Sequence, residues 1–460
     1  MKDKWESWFG QLPADFAISR VKHHFEIDPG KMLQSGSDKN SDTSVRYFSV
    51  GNVQWGSVDC TTLRSMAASL SDVKRYRIEI GDLLVCEGGE GGRSAVVTSL
   101  PSKGIVIYQN HLNRVRPRLD ETGDVHYLRY ALESASSLGL FQALNSGATI
   151  KSLSKQKLAN IVLPLPNIET QRAIVRYLDH AEVRIARAIQ AKLKILRLLR
   201  ELRAVKIQSS IFSGSVKSGL KDSGQQWLGL IPSHWDLIRM KHLVTERSEK
   251  GYQDLPLLAA TQSMGVVTKD TFGQRTVTAQ SGLETLKLVE IGDFVISLRS
   301  FQGGIELSRA KGIISPAYTV LRPNDETMTA YLALLFKTPR FIDALRLSVK
   351  GIREGQNINY GNLSLQYLPV PPASERAEMV AQLKQEVSSL DGTISATERE
   401  IDLLREYRTR LIADVVTGKK DVRAEAASLP DVDPLELARV LSGTTAIEED
   451  VEEEVGANGD

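Results

Sequence analysis

The sequence predicts an α+β protein made of two related halves. Each half is a globular part followed by a long helix, and the two helices pair antiparallel in one intramolecular coiled coil. Three observations carry this. First, the stretch from Leu163 to Gly214 opens on Leu-Pro-Leu-Pro and then holds no glycine or proline from Asn167 to Ser213. Asn167 or Thr170 can cap a helix start, and Gly214 is a natural stop. A helix over Thr170–Ser213 is roughly 65 Å long at about 1.5 Å per residue, too long and too polar for an ordinary core helix. Second, the element returns. Leu-Leu-Arg-Glu-Leu-Arg at 198–203 reappears as Leu-Leu-Arg-Glu-Tyr-Arg at 403–408, and Leu163-Pro164-Leu165-Pro166 as Leu368-Pro369-Val370-Pro371, both at an offset of 205. A repeat of this period divides the chain before any fold is assigned.

The third observation is a pair of complementary helix surfaces. Val380, Leu383, Val387, Leu390, Ile394, Ile401, Leu404, Leu411 and Val415 fall on alternating spacings of three and four, interrupted by Thr397 and Arg408. That is the seam of a coiled coil. A looser seam runs through Val175, Leu178, Ile185, Ile189, Leu196 and Leu199. Residues 169–214 hold ten basic and four acidic side chains, whereas residues 374–418 hold six and nine. Opposite net charge favours pairing with each other over two independent surface helices. An antiparallel pair also implies an approximate two-fold relation between the halves.

In chain order the segments are a first globular part at 1–165, a helix at 166–214, a linker at 215–226, a second globular part at 227–368, a second helix at 369–418 and a tail at 419–460. The first part carries strand-like runs at Arg46–Val50, Leu83–Cys86, Ala95–Thr98 and Gly104–Ile107. The linker is rich in Ser, Gly and Lys. The tail has two basic and twelve acidic side chains over 421–460, the composition of a disordered segment, with a short helix expected near Leu435–Leu441. The formal net charge of +2 therefore hides a body of +12 up to Lys420, which suits a polyanionic partner.

The second globular part repeats landmarks of the first. Ile80-Gly81-Asp82-Leu83-Leu84-Val85 matches Ile291-Gly292-Asp293-Phe294-Val295-Ile296. Leu12-Pro13-Ala14-Asp15-Phe16 matches Ile231-Pro232-Ser233-His234-Trp235. The loop Gly88-Gly89-Glu90-Gly91-Gly92-Arg93-Ser94 is paired with Leu298-Arg299-Ser300-Phe301-Gln302-Gly303-Gly304, placing Arg299 as the equivalent of Arg93. A shared scaffold with divergent loops fits one job done on two targets. Glycines in the first loop are explained by a wide turn; Glu90, Arg93 and Ser94 are not, and can read or clamp a ligand. Lys103, Arg114, Arg116 and Arg118 form a basic cluster downstream.

Catalytic motifs are missing from the sequence. The Gly-rich loop lacks the Lys-Ser/Thr ending of a phosphate-binding loop, and no helical pattern follows it as a dinucleotide fingerprint requires. The two cysteines, Cys60 and Cys86, show no metal spacing, and the seven histidines form no ligand pair with them. Pro371-Pro372 is followed by Ala373, unlike the pocket of amino-methyltransferases. No transmembrane span and no signal peptide are read, so a cytoplasmic, metal-free protein is expected.

The Pro-Leu-Pro entry with Gln171-Arg172-Ala173-Ile174-Val175-Arg176-Tyr177-Leu178-Asp179 carries a family resemblance. So do the helix ends Ile211-Phe212-Ser213-Gly214 and Val415-Val416-Thr417-Gly418, and Gly224-Gln225-Gln226-Trp227-Leu228-Gly229 before Ile231-Pro232-Ser233-His234-Trp235. Over about residues 12–418 the chain resembles the specificity subunit of type I restriction–modification enzymes. One departure is Arg376, where that family usually has Gln. The resemblance implies that each globular part is a target recognition domain reading one half of a split double-stranded DNA sequence, and that the helices fix the spacing. It implies no catalytic site and no cofactor in this chain. Partners would be two modification subunits, which methylate adenine with S-adenosylmethionine, and two restriction subunits, which use ATP and Mg to translocate and cut DNA.

Specific readout needs side chains that reach base edges, with phosphate contacts fixing register. The candidates are Glu90, Arg93, Ser94, Asn110, Arg114, Arg116 and Arg118 in the first part, and Arg299, Ser300, Gln302, Arg309 and Lys311 in the second. Two other classes compete: a self-contained DNA-modifying enzyme, which would act on DNA without partners, and a coiled-coil scaffold, which would show no sequence preference.

Overall fold

A computed structural model describes residues 8, 10–33, 43–88, 90–102, 104–144, 152–213, 219–261, 264–272, 282–298, 300–347, 349–350 and 357–456. Five helices organise them: α1 (Val125–Ser137), α2 (Ile168–Ser213), α3 (Thr329–Leu335), α4 (Ala373–Val416) and α5 (Pro434–Gly456). The chain forms two compact units. The first comprises residues 1–193 and 399–448, the second 194–398 and 449–460. The division therefore falls inside the long helices, not at 165 and 214, and each unit takes half of each helix.

In the first unit, four antiparallel strands order as Phe25–Pro29, Leu112–Pro117, Leu83–Cys86 and Ser94–Val96. A mixed three-stranded sheet places Thr43–Phe48 between Arg64–Ala68 and Val106–Tyr108. Phe48, Leu84, Cys86, Val106 and Tyr108 fill one core beneath them. Leu83-Leu84-Val85-Cys86 is buried throughout, which is why it reads as an uninterrupted apolar run rather than an alternating one. In the second unit the four-stranded sheet recurs with the same order: Val244–Arg247, Thr319–Pro323, Phe294–Ile296 and Glu306–Leu307. Trp235, Phe294, Tyr331, Phe336 and Leu363 anchor its core.

The internal repeat is physical down to single groups. Gly81 and Gly292 both hold φ of 93°, which a side chain rarely adopts, and so turn the chain tightly into the central strand. The following aspartate is buried in both and accepts a backbone N–H three residues back, from Glu79 (2.7 Å) and Glu290 (2.8 Å). Tyr127 on α1 donates its hydroxyl to Pro164 O at 2.8 Å, and Tyr331 on α3 to Pro369 O at 2.6 Å. Gln171 bridges the helix entry by donating to Pro166 O (2.7 Å) and accepting from Asp124 N (3.0 Å). Arg376, the departure from the family pattern, is its structural counterpart: it is buried, 3.5 Å from Pro371 O and 3.1 Å from Thr327 Oγ1.

The prolines before the helices do not end the preceding strands. Pro164 lies within Val162–Leu165, and Pro369 within Tyr367–Val370. Each strand pairs on one side only, with Ala17–Arg20 or Asp236–Arg239, so the missing N–H removes no bond from a second neighbour. The linker also differs from expectation. Leu220–Asp222 pairs with Leu230–Pro232, so the second globular part recruits residues on the amino side of Trp227.

Within each unit the halves of α2 and α4 pair antiparallel. In the first, Lys192 meets Glu400 at 2.5 Å; in the second, Arg200, Arg203 and Lys206 meet Glu398, Asp391 and Glu386 at 2.9, 2.7 and 3.0 Å. As one index rises the other falls. Leu178, Ile185, Ile189, Leu196, Leu383, Val387, Ile401, Leu411 and Val415 are buried, as the seam requires. Val175, Leu199, Val380, Leu390, Ile394 and Leu404 are half-buried. The two interruptions have different reasons. Thr397 is buried, its hydroxyl satisfied by Thr393 O at 2.9 Å. Arg408 pairs with Glu182 (2.9 Å) and Glu133 (2.7 Å).

The described part of the acidic tail is ordered, contrary to its composition. Its described part includes helix α5, which is far longer than the Leu435–Leu441 segment expected. Leu437, Val440 and Leu441 pack on Val183 and Ala186 of α2. Asp431 pairs with Arg176 at 2.8 Å, Glu436 with Arg187 at 2.5 Å and Glu448 with Arg405 at 2.8 Å. Part of the negative charge that reads as disorder is met by basic residues distant in sequence, at Asp431, Glu436 and Glu448.

Candidate nucleic-acid interface

The first Gly-rich loop connects two buried strands, Leu83–Cys86 and Ser94–Val96. Cys86 N donates to Arg93 O at 2.8 Å and Gly92 N to Cys86 O at 3.0 Å, which pins the loop's base. Gly92, at φ 95°, lies so close to Phe141 that a Cβ would stand 2.2 Å from its ring. At the loop's exposed side, Glu90 accepts the Trp55 indole N–H at 2.9 Å. Burial pushes the Cys86 thiol above its ordinary value, so it is an inert core group.

The structure does not bring the expected side chains together as one free basic surface. Arg93 is half-buried and donates to Val50 O at 3.3 Å. Ser94 is fully buried. Arg93 braces the loop, and Ser94 is packed inside the strand that follows it. Arg114 donates to Arg77 O at 2.7 Å and pairs with Asp28 at 3.2 Å. Arg116 forms a close ion pair with the buried Asp82 and reaches Glu79 at 3.1 Å. These two guanidinium groups cross-link the sheet. Arg118 is exposed at the end of the strand, 3.4 Å from Glu26, and Asn110 sits half-buried in the turn before Leu112.

In the second unit, Ser300 is buried and its hydroxyl accepts from Ser297 N at 2.9 Å. Lys311 is exposed and pairs with Glu290 at 2.8 Å; Arg309 is exposed. Arg299, Lys103 and the side chain of Gln302 lie outside the described residues. The strand registers also revise one equivalence. Leu83 pairs with Val96 and Phe294 with Leu307, so the position matching Arg93 is Gly304, and Arg299 matches Gly88. Arg64, Lys74 and Arg75, which the sequence reading passed over, are exposed basic residues on the three-stranded sheet and its covering helix. Their isolated spacing carries no signal without the sheet that places them.

Among the described residues there is no group of His, Cys, Asp and Glu able to hold a metal ion, and no helix long and apolar enough to cross a membrane. Glu306 and Lys337 form a close ion pair; burial pushes the Glu306 carboxyl up to about 6 and lowers the Lys337 amine.

Comparison with known proteins places this architecture. A family model described as the type I restriction modification DNA specificity domain matches residues 13–194. The putative type I restriction enzyme MjaX specificity subunit of Methanocaldococcus jannaschii is 19% identical over 434 residues, covering 90% of this chain and 96% of that protein. The MjaVIII specificity subunit of the same organism is 22% identical over 431 residues, covering 90% and 95%. A chain from a solved structure of the type I R-M system shares the fold at TM-score 0.63 and 15% identity, covering 89% of this chain and all of that one. With residues 13–194 matching that family model and both relatives aligned over nine-tenths of the chain, this chain is similar, over its whole repeated architecture, to the specificity subunits of type I restriction–modification systems.

Proposed function

We propose that this chain is the DNA-specificity subunit of a type I restriction–modification complex, without a catalytic site of its own. The observation that carries the reading is the repeated scaffold. Two globular parts keep one strand order, one aspartate-capped turn and one tyrosine–proline lock, while their connecting loops differ in length and charge. Such a pair suits a bipartite double-stranded target, one part per half-site. Direct readout then comes from loop side chains reaching base edges, with surface cations on phosphates.

Within the candidate set, Arg118, Asn110, Arg309 and Lys311 are the better phosphate or base contacts, because they are not locked into the core. Glu90, Arg299 and Gln302 remain loop candidates from the sequence. Arg93, Ser94, Arg114, Arg116 and Ser300 position the loops. The paired helices would set the number of base pairs between half-sites. Modification subunits bound to this chain would supply S-adenosylmethionine and the methyl transfer; restriction subunits would supply ATP- and Mg-dependent translocation and cleavage. Two copies of each and a cytoplasmic location complete the proposal.

The test is a binding selection from randomised duplex DNA, using the chain reconstituted with its modification subunit. Two short specified blocks at fixed separation are expected. A single block, or enrichment no greater than for the modification subunit alone, overturns the reading.

A further inference from the structure

A small cavity of about 220 Å³ opens in the first unit between α1, α4 and the Gly-rich loop. Pockets for drug-sized ligands hold roughly 300–1,000 Å³, so this one suits a smaller molecule. Trp55 and Glu90 line it from the loops, the Trp55 indole N–H donating to Glu90 Oε1 at 2.9 Å. Glu133 lines it from α1, and Arg408 and Ile412 from α4. Arg408 spends its guanidinium on Glu182 at 2.9 Å and on Glu133 Oε1 at 2.7 Å. Glu133 Oε2 is left buried with no hydrogen-bond donor among the described residues, on a residue only 8% exposed. A buried carboxylate oxygen without a donor is costly, and a charged donor answers it best.

The surrounding charge and the internal repeat point the same way. Behind the cavity, Arg129 and Arg408 interact with Glu133, Asp179 and Glu182. With Glu90, four carboxyl groups face two guanidinium groups. Counted from the tyrosine that locks each helix to its proline, Glu133 corresponds to Lys337, and at the 205 offset Arg408 corresponds to Arg203. The second unit therefore places an ammonium group at this position, beside Arg203 and paired with Glu306. The first unit places a carboxylate there and has no lysine lining the cavity.

We propose that this cavity binds a small aliphatic ammonium compound of the polyamine class. One ammonium group donates to Glu133 Oε2 and to the Glu90 carboxylate. The methylene chain lies against Trp55 and Ile412, and an ammonium near an indole face gains further attraction from the ring. Arg408 does not oppose the ligand, because its charge is already shared between two carboxylates. The bound amine ties the Gly-rich loop, through Glu90, to α1. The inference does not depend on DNA readout.

The probe is putrescine, titrated into the full chain by isothermal calorimetry at about 0.15 M salt, which screens the exposed carboxylates elsewhere on the chain. One saturable site per chain is expected, and butanediol, the uncharged analogue of the same length, should not bind. Glu90→Gln and Glu133→Gln should each weaken binding about tenfold or more, through loss of a charge-assisted hydrogen bond. Ser137→Lys, at an exposed position on the cavity's edge, supplies an ammonium group from the chain itself and should block putrescine. Glu90 and Ser137 are both exposed, so these two variants remain informative if Glu133→Gln disturbs folding. Putrescine should raise the melting temperature of the parent chain and leave that of Ser137→Lys unchanged. The inference is overturned by an absence of saturable binding, by equal binding of butanediol, or by binding that neither Glu90→Gln nor Ser137→Lys weakens.

Discussion

Arg408 offers the sharpest energetic test of how the helix pair is held in the first unit. It sits at a seam position yet bridges two carboxylates, Glu182 at 2.9 Å and Glu133 at 2.7 Å. The Glu182 side chain is 2% exposed, so water cannot replace a lost cation. Arg408→Ala would leave that charge unpaired. Removing one partner of a buried pair costs about 3–5 kcal/mol. For a unit of this size, with roughly 2–4 °C per kcal/mol, the first unit's melting transition should fall by roughly 6–20 °C. The comparison variant is Arg410→Ala, whose side chain is 76% exposed and whose loss should be worth under about 0.5 kcal/mol. Combining Arg408→Met with Glu182→Gln and Glu133→Gln should recover most of the loss, because an apolar or neutral substitute for a buried ionic group is often as stable as the group itself. Differential scanning calorimetry of the three variants decides it. A transition within about 1 °C of the parent for Arg408→Ala would refute the assignment of a buried ionic bridge.

Three further outcomes are expected. Glu306, with its carboxyl raised to about 6 by burial, favours the folded state when protonated; its contribution is full below the unfolded value of 4.5 and is lost as pH rises through 6. Glu306→Gln should remove roughly 2 kcal/mol of that pH dependence, read from urea midpoints at pH 4.5 and 7; an unchanged slope would be contrary. Deleting residues 423–460 should leave the methylated DNA sequence unchanged but lower the first unit's melting temperature, since Val183 and Ala186 lose their cover; an altered sequence in methylation mapping would show that α5 takes part in readout. Inserting four residues after Lys194 and after Arg399 adds about 6 Å to each helix. It should lengthen the unspecified spacer by roughly one to two base pairs with both half-sites intact, and methylation of the original spacing at full efficiency would sink the spacing role.

The helix pair was legible because its signals are local: a run free of glycine and proline, a three–four apolar spacing, and opposite charge on the two segments. Leu178, Ile185, Ile189, Leu383, Val387 and Ile401 are buried where that spacing puts them. The repeat was legible because Gly81-Asp82 and Gly292-Asp293 need the same residues for the same turn. What the sequence hid is partnership at a distance. Arg114 and Arg116 look like a basic cluster until Asp28 and Asp82 are placed beside them. Residues 421–460 look disordered because composition counts their carboxylates without Arg176, Arg187 and Arg405. Arg408 reads as a break in the seam because Glu182 belongs to the other helix. Arg299 was equated with Arg93 on composition, whereas strand pairing aligns it with Gly88.

The central claim is that this chain chooses the DNA sequence for a modification enzyme that cannot choose it alone. The most direct measurement is genome-wide mapping of methylated adenines in cells expressing the modification subunit with and without this chain. The account predicts one bipartite motif, two fixed blocks at constant separation, that appears only when the chain is present. Methylation at the same motif in its absence, or no new motif in its presence, would contradict it.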